Sequence, residues 1–460
     1  MRELHRSTGV TRGPRPAPQS LSSAPVSTDP SFGALARRAR GLLLLDGVTR
    51  VSPLRELVAL LDFLERGLPA AGEAYGPLFR ALLAGPPAAD LLATQLMEAV
   101  LFDENALGDP GAQERQLSTT VHAAAQADLR TLQALAAVGL RLPAAIGRLT
   151  GETPPWPAGT EPASNVLAQR LASSTDWGTL AAELVEHYAR HGGGLMARHR
   201  AFRWTGTDFV PVIEPDAPAP GSLVGYDEER ALLRRNTEIF VAGYAANNVL
   251  LYGDRGTGKS SSVKSLLHRE AAGAGGRPED WERLRMIEVP KALLGDFGTI
   301  AAQLRARPQR FILFVDDLSF EEGETQYKDM KAVLEGGLEA RPQNVVVYAT
   351  SNRRHLIREL FVDRPAPDAT EVHARDTVQE KLSLADRFGM TIVFPSPDQA
   401  AYLSIVEGLA SQRGLAIDAT ALRARAVEWA AWHNGRSGRT ARQLVDYLEG
   451  ELGLAATGSR

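Results

Sequence analysis

The sequence has 460 residues, of which 44% are apolar and 23% are charged, with a formal net charge of −4 and no cysteine. The absence of cysteine excludes disulfides, thiolate nucleophiles and cysteine-based zinc sites, and the net charge gives no global basic field that favours nucleic acid. No apolar run approaches the roughly 18 residues that a membrane span requires, and the N-terminal arginines lack the apolar core of a signal peptide, so we expect a cytoplasmic protein without a membrane partner.

The first half of the chain predicts a tail and a helical domain. Residues 1–31 are rich in Pro, Ser, Thr and Arg and poor in large apolar residues, which predicts a disordered tail. Residues 32–200 carry apolar side chains at helical spacing, interrupted by prolines, which predicts an all-α N-terminal domain. This domain has no catalytic constellation, and its histidines lack metal-ligand spacing. An interaction module and a supporting helical domain both fit this half of the sequence.

The second half changes to short β-rich runs that alternate with helices. Residues 201–222 predict a short hairpin followed by a Pro-rich linker. Residues 223–397 predict an α/β domain built on a parallel sheet, and residues 398–460 predict a helical lid domain. The expected strands are Asn248–Tyr252, Arg285–Val289, Arg310–Val315, Val345–Thr350 and Met390–Phe394.

A phosphate-binding pattern follows the first of these strands. The segment from Gly253 to Ser260 matches the G-x-x-x-x-G-K-[ST] pattern in full, between a buried strand and a helical stripe. Its glycines let backbone N–H groups face phosphates, Lys259 supplies a compact charge that fits inside the loop, and Ser260 offers a hydroxyl to magnesium. We assign nucleotide binding to Gly253, Asp254, Arg255, Gly256, Thr257, Gly258, Lys259, Ser260 and Ser261.

Two carboxylates follow the strand Arg310–Val315 directly. Placed beside the phosphate-loop strand, Asp316 is expected to hold Mg²⁺ through water, and a second acid to orient and deprotonate the attacking water. The alternative is a buried strand followed by a solvated acidic turn. The loop upstream favours the first interpretation, with ATP and Mg²⁺ as the bound cofactors.

With these motifs in place, the chain from Leu223 to Leu454 resembles the AAA+ ATPases. The usual second acid of that superfamily is glutamate, whereas this chain has Asp317, which is one methylene shorter. Glu321 and Glu322 follow closely and are alternative bases. The resemblance implies a P-loop AAA+ parallel-sheet core with a C-terminal helical lid.

Two segments resemble AAA+ elements that surround the nucleotide. Gly225 and Tyr226 belong to a segment that is similar to the one lying against the adenine ring. Asn352, directly after the strand Val345–Thr350, matches the sensor 1 residue that helps to position the hydrolytic water.

Three arginines match AAA+ positions. Arg387 matches the arginine that reaches the γ-phosphate of a neighbouring subunit, which would require a ring or at least a dimer; the alternative is an arginine paired with a nearby acid. In the segment similar to sensor 2, Arg439 aligns best with the arginine that contacts nucleotide. Arg442 lies one turn along the same helix face and is the second choice.

Within that superfamily, the segments Phe314–Glu321 and Thr350–Leu356 resemble an uncharacterised bacterial group, domain-of-unknown-function family 815. The resemblance implies a predicted ATPase whose client is not established.

We expect a Mg²⁺-dependent ATPase that acts as a homo-oligomer, with a hexameric ring as one candidate, to remodel or load an unknown macromolecular client. A protein client is expected. Nucleic acid is an alternative partner that the sequence does not support, because the chain offers no basic helix or DNA-reading motif. The alternative, motivated by Asp317, is a nucleotide-gated binding switch with little or no hydrolysis.

Overall fold

The computed structural model describes residues 30–85, 90–105, 107–108, 118–157, 166–268, 277–319, 342–352, 387–433 and 435–458. Almost all of the expected tail lies outside these ranges, and so do Glu321 and Glu322.

Helices make up the described part of the N-terminal half. Ser31, Asp90 and Ser118 each accept a backbone N–H in the first turn of the helix that follows, which explains where three of these helices begin. Leucines on the inner faces, such as Leu57 and Leu129, are fully buried in one shared core. The helices are α1 (Phe32–Arg40), α2 (Leu54–Glu65), α3 (Ala71–Leu83), α4 (Leu91–Phe102), α5 (Thr119–Val138), α6 (Leu142–Thr150), α7 (Val166–Ser173), α8 (Ala181–His191) and α9 (Gly194–Arg198).

One helical stretch among the described residues, Thr119–Thr150, is long and apolar enough to cross a membrane, with a mean hydropathy of 1.2 over its best window. Its Leu129, Leu132 and Leu135 are fully buried in the core of the helical domain. Asp128 lies on the same buried side of α5. These residues pack within the domain, and 39% of the best window is buried.

Asp128 joins α5 to the segment that follows α1. Its carboxylate accepts the backbone N–H groups of Leu43 at 3.0 Å, Leu44 at 2.8 Å and Leu45 at 3.0 Å. The side chain is buried, with 2% of its surface exposed. Charge-assisted hydrogen bonds of this kind offset the cost of burying a carboxylate.

A seven-stranded sheet forms the centre of the second half of the described chain, in the order β2-β1-β4-β5-β6-β3-β7. Neighbouring strands are parallel except for the hairpin pair β1 and β2. The five strands expected from the sequence are all present, and each bound agrees to within one residue. The strands are β1 (Ala201–Trp204), β2 (Phe209–Pro211), β3 (Val249–Gly253), β4 (Leu284–Glu288), β5 (Arg310–Val315), β6 (Val345–Ser351) and β7 (Met390–Phe394).

The strand order corrects one expectation. β6 pairs with both β3 and β5, so the acid-bearing strand β5 is not the neighbour of the phosphate-loop strand β3. The carboxyl ends of the three strands still meet at one edge of the sheet, because all three are parallel. The residues after β6 therefore lie between the phosphate loop and the acid pair.

Helices cover both faces of the sheet. The four helices between β2 and β5 are α10 (Asp227–Val241), α11 (Lys259–Ser265), α12 (Pro278–Trp281) and α13 (Phe297–Leu304). Phe297 and Ile300 of α13 pack on one face, together with Met196 of α9. Phe240 of α10 and Val263 of α11 pack on the other face.

The C-terminal lid has its own core. Tyr402, Leu422 and Leu444 are buried against one another, one from each of its three helices. These helices are α14 (Gln399–Gln412), α15 (Ala419–Trp432) and α16 (Gly438–Gly458), and short 3₁₀ turns elsewhere span Asp46–Arg50, Gly139–Arg141, Trp177–Leu180, Pro220–Ser222 and Lys291–Asp296. The predicted fold class is confirmed: an α/β parallel-sheet core with a helical lid, preceded by a helical N-terminal region.

The N-terminal helices are attached to the sheet through buried polar side chains. The Arg285 guanidinium, 3% exposed, donates to the backbone carbonyls of Met196 at 2.5 Å and Ala197 at 3.2 Å. Burial lowers the pKa of Arg285 to about 9. The fully buried Gln309 donates to the carbonyl of His191 at 2.5 Å. These contacts lie at the amino ends of β4 and β5, at the opposite edge of the sheet from the phosphate loop.

Replacing Asp128 tests the carboxylate contact in the helical domain. Asp128→Ala should lower the free energy of unfolding of this domain by about 2–4 kcal/mol, because three backbone donors lose a charged acceptor. Asp128→Asn should lower the free energy of unfolding by less, since one acceptor oxygen remains. Urea unfolding followed by circular dichroism measures the change.

The matched control is Asp62→Ala, which removes an exposed ion pair with Arg40 and should cost at most about 1 kcal/mol. Equal midpoints for Asp128→Ala and Asp62→Ala would contradict the assigned role of Asp128.

Candidate functional site

The phosphate loop connects β3 to α11 and surrounds the Lys259 side chain. The ammonium donates to the carbonyls of Gly253 at 2.7 Å and Asp254 at 2.6 Å, and to Oδ1 of Asn352 at 3.0 Å. Lys259 is 5% exposed. The charge is therefore held at a fixed point inside the loop.

Two opposing effects act on the Lys259 charge. Burial lowers the pKa of the ammonium from its usual value, and the carboxylates of Asp254, Asp317 and Asp316 oppose that shift. The three nearby acids thus compensate part of the desolvation cost of the buried charge.

The acid pair lies directly opposite the loop. Oδ1 of Asp316 accepts the hydroxyl of Ser260 at 2.5 Å and the hydroxyl of Thr350 at 2.6 Å. Oδ1 of Asp317 accepts the side-chain amide of Asn352 at 2.6 Å. Since Asn352 also accepts from Lys259, the side chains of Lys259, Asn352 and Asp317 form one continuous chain of hydrogen bonds.

Asp317 has a left-handed backbone, with φ at 52°. This conformation is uncommon for residues other than glycine, and aspartate adopts it more readily than most side chains because it is short and polar. The turn that places this acid beside Asn352 therefore suits an aspartate.

A cavity of about 660 Å³ adjoins these groups, within the size range of ligand sites. Its polar side is formed by the phosphate loop and the acid pair, and its apolar side by Leu223, Val224, Tyr226, Ile405 and Leu409. A ligand with several negative charges at one end and a flat apolar group at the other matches this division.

Tyr226 holds the apolar side in place. It also has a left-handed backbone, with φ at 57°. Its hydroxyl donates to the carbonyl of Pro395 at 2.7 Å, and its ring lies 5.1 Å from that of Phe394. Arg230 donates to the carbonyl of Gly225 and to Asp227, which fixes the preceding turn.

The lid reaches the phosphate loop directly. The backbone N–H of Arg439 donates to the carbonyl of Gly256 at 3.1 Å. Arg439 and Arg442 both line the cavity, so the structure does not separate the two candidates for the lid arginine.

Most of the residues predicted for the site lie together. Three predicted residues are close to lining residues in the sequence but do not line the cavity themselves: Gly225, Gly253 and Asp254. Glu321 lies outside the described residues. The predicted residues that line it are Tyr226, Arg255, Gly256, Thr257, Gly258, Lys259, Ser260, Ser261, Asp316, Asp317, Asn352, Arg439 and Arg442.

Arg387 does not join this group. It precedes β7, whose first residue Met390 pairs with Val249 at the start of β3, whereas the loop follows the other end of β3. A five-residue strand is on the order of 15 Å long, so Arg387 lies at the far edge of the sheet from its own phosphate loop.

Ser260 and Asp316 fit a magnesium ion. A hydroxyl and a carboxylate are hard oxygen ligands, and Mg²⁺ is commonly held by one or two carboxylates with the remaining positions filled by water and phosphate oxygens. Within the described ranges, no group of three or more His, Asp or Glu side chains is arranged as a metal site.

Sequence reasoning missed several contacts of the site. Thr350 contacts Asp316, and Arg230 fixes the turn at Gly225, although neither is among the predicted site residues. The sequence signal for Thr350 was its place near the end of a strand, two residues before Asn352, because residues two apart in an extended segment point to the same side.

Residues 197–452 match the family model described as Protein of unknown function (DUF815). Among solved structures, the Thermotoga maritima RuvB Holliday junction branch migration motor is similar at 15% sequence identity and a TM-score of 0.35, over 52% of this chain and 66% of that chain. A variant of Thermotoga maritima RuvB is similar at the same identity and TM-score, over 51% of this chain and 64% of that chain. The chain therefore spans just under two thirds of the length of these structures. No curated protein matches the chain.

Two loop glycines form a matched pair for testing the geometry. A Cβ at Gly253 would lie 1.9 Å from the carbonyl oxygen of Phe394, and φ there is +149°. At Gly258, φ is +93° and nothing lies within 4 Å of the added atom. Gly258→Ala should cost about 1–3 kcal/mol of backbone strain, and Gly253→Ala should cost more because it also displaces β7. Thermal unfolding measures both, and equal melting temperatures would contradict the β3–β7 packing.

Proposed function

Because the chain belongs to the family described as Protein of unknown function, DUF815, and carries the site described above, we propose that it is an AAA+ protein that binds ATP and hydrolyses it with Mg²⁺. One observation carries this proposal. The loop lysine, the sensor residue and the acid pair, which lie far apart in the sequence, share one network of hydrogen bonds beside a single cavity.

Each part of the network has a role in hydrolysis. Lys259 and the loop N–H groups bind the β- and γ-phosphates, and Ser260 and Asp316 hold Mg²⁺, which neutralises phosphate charge when bound. Asp317 accepts a proton from the attacking water while the oxygen of that water bonds to the γ-phosphorus and the bond to the bridging oxygen breaks. Asn352 orients Asp317 and the water.

The remaining cavity surface selects the rest of the nucleotide. Leu223, Val224 and Ile405 offer an apolar surface for the adenine ring, and Arg439 or Arg442 contacts phosphate from the lid. We infer ATP as the ligand because the cavity combines these apolar walls with a site for several phosphates.

We propose that the active form is a homo-oligomer. Arg387 is too far from its own phosphate loop to reach a γ-phosphate there, which supports a role at the site of a neighbouring subunit. An arginine supplied in this way stabilises the charge that develops on the transferred phosphoryl group. A hexameric ring is one arrangement that satisfies this requirement.

We further propose a cytoplasmic protein that uses ATP to remodel or load a protein client, with the helical N-terminal domain in client recognition. The attachment of that domain to the amino ends of β4 and β5 leaves the nucleotide edge of the sheet to the lid and to neighbouring subunits.

A nucleotide-gated binding switch is the second candidate. Asp317 stands where the AAA+ superfamily usually has glutamate, and its shorter side chain accepts from Asn352. Slow or absent hydrolysis with intact ATP binding distinguishes a switch from an ATPase.

Steady-state hydrolysis and ATP affinity test the assignment. Lys259→Ala should weaken ATP binding by about 100-fold, because the loop loses its buried charge, and should abolish hydrolysis. The matched control is Lys264→Ala on the same helix, where the lysine lies 3.9 Å from the exposed Asp216 and should be dispensable. Unchanged affinity in Lys259→Ala would rule out the proposed site.

The identity of the base is tested separately. Asp317→Asn should retain ATP binding and lower kcat by about 10²–10⁴-fold, because an amide does not accept the proton of water. If hydrolysis persists, Glu321→Gln and Glu322→Gln identify the base instead. A wild-type protein that binds ATP without turnover would favour the switch.

Arg387→Ala should bind ATP normally and hydrolyse it about 10³–10⁵-fold more slowly. Mixing it with Lys259→Ala should restore part of the activity, because the first variant keeps an intact phosphate loop and the second supplies the arginine. Arg66→Ala, on the exposed surface of the helical domain, is the control. An active Arg387→Ala, or no recovery on mixing, would contradict catalysis between subunits.

A further inference from the structure

We propose that Thr350 is a positioning residue for ATP hydrolysis, whose single hydroxyl orients both carboxylates of the acid pair. The inference rests on the proposed function. Thr350 is the last residue but one of β6 and is 1% exposed. Thr350 lines the cavity, and the hydrogen bonds of its hydroxyl go to the two acids.

The first acid is fixed through one oxygen. The Thr350 hydroxyl donates to Oδ1 of Asp316 at 2.6 Å, and the Ser260 hydroxyl donates to the same oxygen at 2.5 Å. The backbone N–H of Asp317 is a third donor to this oxygen, at 3.2 Å. Three donors on one carboxylate oxygen restrict the rotation of the group, and hence the direction in which Oδ2 points. Thr350 thereby orients the carboxylate that would hold Mg²⁺, as supporting hydrogen bonds commonly do for metal ligands.

The second acid is fixed through its backbone. The N–H of Asp317 donates to the hydroxyl oxygen of Thr350 at 3.0 Å, and the N–H of Leu318 donates to the carbonyl of Thr350 at 2.7 Å. These two bonds enclose the left-handed residue Asp317, whose φ is 52°. Thr350 therefore stabilises the turn that directs the Asp317 carboxylate to Asn352.

The direction of the hydroxyl is itself constrained. A β-branched side chain on a strand has few accessible χ1 rotamers, and β6 is paired on both sides, with Thr350 opposite Leu251 of β3. A hydroxyl that accepts one hydrogen bond and donates another uses both of its functions. Serine offers the same groups with more rotational freedom, and valine offers the same shape without them.

The test compares Thr350→Val with Thr350→Ser in the full-length protein, using ATP and MgCl₂. Thr350→Val should lower kcat about 10–100-fold and raise the half-saturating Mg²⁺ concentration by a similar factor, with ATP affinity measured without Mg²⁺ unchanged. Thr350→Ser should have a kcat and a half-saturating Mg²⁺ concentration close to those of the wild type.

A second buried threonine provides the control for a lost hydroxyl. Thr237 of α10 is fully buried, and its hydroxyl donates to the carbonyl of Leu233 at 2.9 Å and bonds Tyr348 of β6 at 2.9 Å. Thr237→Val should lower the melting temperature while leaving kcat and the Mg²⁺ dependence unchanged, as expected of a purely structural hydroxyl.

The outcomes separate this inference from the proposed function. If the wild type is active and Thr350→Val keeps its kcat and Mg²⁺ dependence, the role of Thr350 alone is overturned. The same holds if Thr350→Ser is as impaired as Thr350→Val. A wild type that does not hydrolyse ATP overturns the proposed function and this inference with it.

Discussion

The pairing of β6 between β5 and β3 is the constraint on which the candidate site depends. The acid pair follows β5, and the phosphate loop follows β3. Thr350 lies near the end of β6, and Asn352 directly follows that strand. Parallel pairing aligns the carboxyl ends of the three strands. The residues at the end of β6 therefore contact both the phosphate loop after β3 and the acid pair after β5. Without β6 in this position, Asp316 could not accept from Ser260 and Thr350 at once, nor could Asn352 join Lys259 to Asp317.

The second acid illustrates how backbone and side chain depend on each other. From the sequence, Asp317 is a departure from the glutamate that the AAA+ superfamily usually has there. In the structure it occupies a left-handed position, where aspartate is better tolerated than longer side chains, and its carboxylate accepts the side-chain amide of Asn352 at 2.6 Å. The shorter side chain therefore fits the local backbone, which gives the substitution a physical reason independent of the rate of hydrolysis.

Elements were more predictable from the sequence than the contacts between them. The strands were located to within one residue because each is a short buried apolar run bounded by polar or turn residues, a pattern that depends on nearby sequence alone. The same holds for the phosphate loop, since its chemistry lies in consecutive residues. Strand order depends on pairing between distant segments, and for this reason the neighbour of β3 was predicted wrongly and the contact of Thr350 with Asp316 was not foreseen. The left-handed backbone of Asp317 and Tyr226 follows from tertiary contacts that no local pattern records.

Tyr226 connects the lid to the α/β core in a way that makes the cavity depend on both. Its ring packs against the core side chain Phe394 and also belongs to the apolar cluster of the lid, beside Ile405. A further direct link is the hydrogen bond from the backbone N–H of Arg439 to the loop carbonyl of Gly256. A ligand in the cavity would touch the loop, the segment around Tyr226 and the lid helices together, so its binding energy would depend on the angle between lid and core. A ligand shifts a conformational equilibrium only by its difference in affinity for the two states. The phosphate contacts that we propose for Arg439 or Arg442 are therefore the part of this site best placed to favour one lid orientation over another.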